Sequence, residues 1–395
     1  MPEGILVLNA GSSSIKFAVF QYSPTADEPR AMVRGQVSDI GGRAVFTALG
    51  ADGAAFESGR LEDDAGDHAS TLRGLLGWIE GRVDLPDIQG IGHRVVHGGA
   101  DFTEPVIVTD VVLGALDKLM PLAPHHQPHN VAAIRAVADL WPHVPQVACF
   151  DTAFHATQPT VARQTGLPRN YAEAGIRRYG FHGLSYDYVT RALPAHAGGM
   201  LPERLIALHL GNGASMCAIL NGESIATTMG FSTVDGIAMA TRSGAVDPGA
   251  MIEVMRRENL DIDGLEDLLY NRSGILGLSG LSADMRTLLN SDSPAAGEAV
   301  DYYCYRIMRE LGSLAAALGG VDAVVFTGGV GANAAAIRKR ICDDAGWLGI
   351  ALDDDANDRG GSRITTSAST VAGYAFDTDE ESVIAVHTET MLCGI

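Results

Sequence analysis

The sequence predicts an α/β protein built from two related halves, on three observations. Ile5–Phe20, ILVLNAGSSSIKFAVF, sets two short runs of branched apolar residues around a Gly/Ser cluster, which reads as strand, tight turn, strand. The same unit recurs in Leu205–Leu220, LIALHLGNGASMCAIL, at an offset of 200 residues, with Leu6, Leu8, Gly11 and Ala18 matching Ile206, Leu208, Gly211 and Ala218. Third, strand-like runs lead into chemically marked turns: Val144–Phe150 into Asp151, and Val321–Phe326 into TGGVGAN with a helix from about Ala334. At roughly 150 residues per domain, 395 residues fit two or three domains, and the junction is expected just after Asp151.

Taken in order, residues 5–60 are β-rich: after the opening hairpin come Ala31–Val37 and Ala44–Leu49, parted by Gly41-Gly42. Helical patterning follows in His68–Ile79. Ile88–Val96 reads as a buried strand running into His97-Gly98-Gly99, and Asp110–Met120 as a helix closed by Pro121 and Pro124. In Pro121–Asn130, PLAPHHQPHN, His125 and His129 stand four apart, the spacing of a helical metal pair, but Pro128 between them argues against a helix there. A histidine lining a cleft, or capping a helix that starts near Asn130, is the other reading. Arg177–Gly183, RRYGFHG, packs two cations, two aromatics and a histidine among glycines ahead of a helix over Leu184–Leu193. Thr227–Pro248 is long, glycine-spotted and aperiodic, with Arg242 in TRSG, and loops of that length in compact domains are usually functional. Helices are expected over Leu265–Asn271 and Ala296–Leu318, and Asp353–Arg359 is an acidic segment. TGGVGAN resembles a nucleotide loop at a helix N-terminus, where the dipole favours an anion. Thr378-Asp-Glu-Glu381 precedes a last helix as cap and first-turn acids.

Composition narrows the function. A formal charge of −20 removes a global basic footprint for nucleic acid or anionic membrane, so an anionic substrate needs locally placed cations. The opening turn is such a place, since Gly and Ser point N–H groups and hydroxyls at one spot and Lys16 adds a cation beside them. Five scattered cysteines without a C-x-x-C argue against a disulfide framework or zinc knuckle and fit a reducing cytoplasm. Ile5–Leu8 is too short for a signal peptide's apolar region, and no run is long enough to span a bilayer.

Eight segments now stand in order along nearly the whole chain: NAGSSSIKF, GHRVVHGG, FDTAFH, RRYGFHG, HLGNGAS, TRSGAVDP, FTGGVGAN and TDEE. In these the sequence resembles the acetate kinase family, within the wider group of sugar kinases, actin and heat-shock chaperone ATPases. The resemblance implies duplicated ribonuclease-H-like βββαβαβα domains, the actin-like ATPase fold, with the active site in the cleft between them. It implies domains over 1–151, completed by a C-terminal helix 382–395, and 152–381, in a homodimer. The reaction implied is reversible Mg²⁺-dependent (or Mn²⁺-dependent) phosphorylation of acetate by ATP, by direct in-line transfer.

Residue by residue, the resemblance implies that Arg94 and Arg242 hold the acyl and γ-phosphoryl oxygens, a task suited to a planar, permanently charged guanidinium. His182 matches the histidine that hydrogen-bonds the transferring phosphoryl, and His126 a second stabilising histidine. Asp151 matches the aspartate that orients an arginine and helps hold Mg²⁺, with Asn9 and Glu380 or Glu381 as further metal contacts. Ser12 and Lys16 belong to the first phosphate loop; His209, Leu210, Gly211, Asn212 and Gly213 form the second. Asp284, Met285 and Arg286, with Gly329, Val330, Gly331, Ala332 and Asn333, fall where the family contacts the nucleoside. Val96 and Phe181 fit the small apolar acyl pocket. There are departures: His125 stands where leucine is usual and Thr233 where proline is, so two expected wall positions are polar. A buried polar group left unmet costs roughly 1–3 kcal/mol, so either water fills the pocket or the acid carries a polar group. Ala240, Ala245 and Ala332 replace a glycine and two acids. Two alternatives therefore stand beside acetate: a kinase for a longer or more polar acid such as propionate or butyrate, and an ATP-binding relative without turnover.

Overall fold

In the computed structural model, which describes residues 3–22, 29–61 and 66–393, the chain divides into two compact units. The first is Met1–Phe154 with Asp379–Ile395, the second His155–Thr378.

The first unit is built on the strands β1 (Glu3–Ala10), β2 (Ser14–Tyr22), β3 (Arg30–Ser38), β4 (Val45–Gly50), β5 (Ala55–Gly59), β6 (Asp87–Val95), β7 (Val106–Ile107) and β8 (Gln146–Phe150). They form one sheet in the order β5-β4-β3-β2-β1-β6-β8-β7. The expected opening hairpin is there, with Leu8 opposite Phe17 and Asn9 opposite Lys16. The second unit holds β9 (Arg204–Leu210), β10 (Ala214–Leu220), β11 (Glu223–Thr227), β12 (Ala323–Thr327) and β13 (Ala372–Ala375), ordered β11-β10-β9-β12-β13. In both sheets three antiparallel strands are followed by two that join in parallel: β3-β2-β1-β6-β8 has the plan of β11-β10-β9-β12-β13. The fold is the duplicated actin-like ATPase plan; β4, β5 and β7 are additions at the edges of the first sheet.

In the first unit, one sheet face packs Leu6, Leu8, Phe17, Val19 and Phe46 against Leu72, Leu75, Leu76 and Ile79 of helix His68–Glu80 and Val137 of helix Gln127–Leu140. The first helix starts at Asp67, whose side chain accepts from the Ser70 N–H in a capping box. On the other face lies the C-terminal helix Glu380–Cys393; residues 394 and 395 of the expected helix lie outside the described residues. It can lie there because β6 presents Gly90 and Gly92 to it: a β-carbon on Gly92 would overlap Ile384 and Thr388, and one on Gly90 would overlap Leu392.

Two local expectations need correction, and one strand has no counterpart among them. The helix after PLAPHH starts at Gln127 with Pro128 in its first turn, so Pro128 does not bar a helix through His129; the first turn has no internal bond for a proline to break. TGGVGAN is not an open loop, because Gly328–Asn333 is itself a short helix followed by Ala335–Asp344. β5 was not expected, and its exposed sequence AFESG explains why periodicity misses it. Among the described residues no helix is long and apolar enough to cross a membrane.

Candidate active site

In the first unit, strand alternation and helix periodicity place the charges. Gly90, Gly92 and Arg94 share one face of β6, and the helix residues Leu392, Thr388, Ile384 and Glu380 share one face at a spacing of four. The two rows run against each other, so Glu380 arrives at Arg94, with Nε and Oε2 3.9 Å apart. Asp151, directly after β8, meets the same guanidinium with Nη2–Oδ2 2.5 Å and Nε–Oδ1 3.2 Å. Arg94 Nη1 donates to Asn9 Oδ1 at 3.3 Å from the end of β1. Asp151 is buried to 1% exposure, while about a fifth of the Arg94 side chain (21%) meets solvent.

The electrostatics follow from this crowding. Burial pulls the Arg94 guanidinium down, but Asp151, Glu380 and Glu381 together hold it above its ordinary value. Burial pushes the Glu380 carboxyl up to about 7; Asp151 and Glu381 add to the rise, and Arg94 and Lys16 oppose it. Glu381 is drawn the other way, 3.9 Å from Arg34, whose fork grips Asp379 through two hydrogen bonds of 2.7 and 2.5 Å. Asp379 in turn accepts from the Ser382 N–H at 3.0 Å, fixing the first turn of the helix. Sequence reasoning missed Arg34: a strand arginine carries no local mark of a partner 345 residues away.

The turns around this cluster are tied by further unpredicted residues. His68 Nε2 donates to the Gly11 carbonyl (2.8 Å) and Asn130 Nδ2 to the Ala10 carbonyl (2.7 Å), so the Gly/Ser turn is held from below. Asn130 Oδ1 accepts from the Val96 N–H, and Gln127 clasps the backbone of His97 from both sides. Both sit on the first turns of the helix that starts at Gln127. Ser12 and Lys16 are exposed, Val96 is buried and His126 half-buried at the helix cap. His125 is exposed, so the cost expected for burying it as a pocket wall does not arise.

In the second unit the Gly-rich turn after β9 is the meeting point. A β-carbon at Gly213 would lie 3.2 Å from His182 Nε2 and 3.6 Å from Arg242 Nη1, so only a glycine leaves both groups clear access to the space above that turn. His182 sits at the cap of helix Gly183–His196 in the left-handed region (φ 59°, ψ 27°), a conformation that costs a non-glycine residue about 1–2 kcal/mol. Ser215 Oγ holds its Nδ1 at 2.9 Å and lies 2.5 Å from Tyr186 Oη, while the His209 ring stacks on it with centroids 4.2 Å apart. Phe181 is buried, and its carbonyl accepts from His155 Nε2.

Arg242 rides on a strapped loop. Its Nη1 donates to the Thr233 carbonyl at 3.2 Å; Met239 N–H bonds back to the Arg242 carbonyl, and Ala240 N–H to the Asn212 carbonyl. Gly274 approaches the Met239 carbonyl so closely that a β-carbon would overlap it. Arg178 laces the start of the loop, donating to Asp235 (2.8 Å) and to the carbonyls of Thr227 and Thr228. The signal for Arg178 was present in RRYGFHG.

The nucleoside positions divide. Leu210 and Met285 are core side chains and can offer only backbone atoms, whereas Asp284 and Arg286 are exposed, with Asp284 capping its own helix at Arg286 N–H. Gly329, Ala332 and Asn333 are at least partly open on the short helix; Val330 is half-buried and Gly331 buried. The orphan carbonyls of Gly331 and Ala332 are met by Arg338, a buried guanidinium (1% exposed) that also clasps Asn357. Sequence reasoning missed Arg338, whose partners lie around it in the fold.

Residues 4–386 match the acetokinase family model. An acetate kinase of Rhodopseudomonas palustris is 50% identical over 399 residues, covering 100% of both chains. Among solved structures, the acetate kinase of Porphyromonas gingivalis matches with a TM-score of 0.88 at 36% identity, covering 99% of this chain and 100% of that one. A propionate kinase from Francisella tularensis matches with a TM-score of 0.91 at 32% identity, covering 98% and 100%.

Proposed function

The chain belongs to the acetokinase family, and on that premise we propose that it moves the γ-phosphoryl group of ATP onto acetate. A carboxylate oxygen forms the new O–P bond, the bond from the γ-phosphorus to the bridging oxygen breaks, and that electron pair leaves on ADP. No proton need move, so catalysis is alignment and charge neutralisation. The observation that carries the reading is the convergence of His182 Nε2 and Arg242 Nη1 over Gly213.

With Tyr186 donating to Ser215 and Ser215 donating to His182 Nδ1, the imidazole keeps its proton on Nε2 and donates it to a phosphoryl oxygen. Arg242 answers the charge on the same group. Arg94, oriented by Asp151 and Asn9, holds the acyl oxygens with its remaining donor capacity, beside Val96. Ser12, Lys16 and the turn at His209–Gly213 steady the phosphates, and the backbone of Asp284–Arg286 and Gly329–Asn333 covers the nucleoside. His126 is a second donor to the phosphoryl.

Among the described residues no three acids or histidines form a ready metal cage. Mg²⁺ asks for less, since it keeps waters and takes one or two carboxylates beside substrate phosphates. The hard oxygen donors of Asn9, Asp151 and Glu380 fit that demand, and Glu380 suits it better than Glu381, which faces Arg34. The ion, when bound, neutralises phosphate charge. A homodimer in a reducing cytoplasm is the setting we infer; five scattered cysteines without a C-x-x-C fit the latter.

Hydroxylamine trapping tests the function: hydroxamate should form from acetate only with both ATP and Mg²⁺. Its absence with acetate, propionate and butyrate alike would sink the proposal and leave an ATP-binding protein without turnover. The likeness to a propionate kinase and the polar Thr233 favour a second reading, a longer acid. A clear kcat/KM optimum at acetate across an acid panel rejects it, although one methylene is worth only about 1–3 kcal/mol and cross-reactivity is expected.

A further inference from the structure

Outside these clusters, a cavity of about 580 Å³ in the second unit is lined by Arg163, Arg169 and Arg177, with Thr160, Gln164 and a single acid, Glu173. Three guanidinium groups around one hollow stand out in a chain of net charge −20. Several arginines elsewhere meet an acid: Arg34, Arg94, Arg135, Arg178, Arg191 and Arg204 each pair with an aspartate at 2.5–2.8 Å. Among the described residues, Arg163, Arg169 and Arg177 enter no such pair, although acids outnumber bases by 48 to 28. Arg177 is held in place by its stack on Tyr179, 4.9 Å from the ring centroid, and its Nε is buried with no partner. A buried N–H without an acceptor is costly, and neighbouring like charges repel, so the arrangement is stabilised when an anion enters.

We propose that this cavity binds a small anion carrying several charges, of the polyphosphate or polycarboxylate kind, held by the forks of the three arginines. Thr160 and Gln164 supply neutral hydrogen-bonding groups at its wall. The hollow is far larger than one acetate needs, and three cations match a multiply charged guest better than a single carboxylate.

The experiment is calorimetric titration of the full-length protein, free of metal and saturated with ADP so that the nucleotide site is filled. Pyrophosphate and tricarballylate serve as separate probes, which distinguishes a phosphate from a carboxylate guest. At least one should bind at one further site per chain, with Kd raised at least tenfold in the double variant Arg163→Glu, Arg169→Glu. That variant should keep kcat and the KM for ATP within about twofold, which also shows that it folds. No saturable binding of either probe overturns the proposal, as does wild-type affinity in the double variant, which would mean binding elsewhere. If the variant loses no anion affinity but changes the oligomeric state, the arginines serve contact between copies and the proposal fails.

Discussion

Arg242 and Arg94 carry their charge in different settings, and their removal should read differently. Arg242 Nη1 donates to the Thr233 carbonyl, lies 4.0 Å from Met239 Sδ and stands 3.6 Å from where a β-carbon on Gly213 would be, so its charge is directed at whatever occupies the space above that turn. Arg242→Ala should lower kcat by at least about a hundredfold, the scale of one lost charge-stabilising donor. The thermal midpoint and the KM for ATP should stay near wild type, and a kcat within tenfold of wild type refutes the role. Arg94 balances Asp151 and Glu380. Arg94→Ala should lose activity and also about 3 kcal/mol of stability by urea unfolding, the low end for breaking a buried pair because part of the side chain meets solvent. An unchanged midpoint would mean that water reaches Asp151 more readily than its burial implies.

At the scale of elements, the strand β6 and the C-terminal helix act as one device. Gly90 and Gly92 let the helix lie against the strand, and that contact brings Glu380 to Arg94. Gly92→Ala puts a methyl group into Ile384 and Thr388, so the helix must shift. We expect a loss of about 1–3 kcal/mol, typical of overpacking, together with a raised Mg²⁺ requirement as Glu380 moves. Stability and Mg²⁺ dependence both unchanged would show that the helix does not position the acid. This coupling was not legible in the sequence. The hairpins at Ile5–Phe20 and Leu205–Leu220 were, because their apolar alternation and turn residues are local; so was the strand Ile88–Val96. The glycines of IQGIGHRVV declare nothing locally, since their partners lie nearly 300 residues on. The same holds for Arg34 and Asn130, polar residues whose meaning is an acid 345 residues away and a carbonyl 120 residues away. Pro128 stands at a helix start, where the rule against proline in helix interiors does not apply, and the exposure of His125 is set by the fold around PLAPHHQPHN, which the segment itself does not show.

For the whole molecule, acid sensitivity should be set by buried groups of opposite sign. Each unit encloses a neutral histidine: His93 against Gln146 in the first, His155 between Ser224 and the Phe181 carbonyl in the second. Burial pulls both down from 6.5 to about 4. Their stabilising contribution is complete above pH 6.5 and is lost as pH falls toward 4, because the unfolded chain takes up protons that the folded one refuses. Glu380 works the other way. With its carboxyl raised from 4.5 to about 7, it gains stability relative to the unfolded chain as pH falls from 7 toward 4.5. Between pH 7 and pH 5 each histidine costs roughly 2 kcal/mol and Glu380 returns roughly 2 kcal/mol, leaving a net loss of about 1–2 kcal/mol. Urea midpoints at the two pH values check this in three proteins. His155→Gln should flatten the loss by about 2 kcal/mol, and Glu380→Gln should deepen it by a similar amount. If Glu380→Gln leaves the pH dependence as it is, Glu380 ionises normally, and the crowding of carboxylates around Arg94 is weaker than its distances imply.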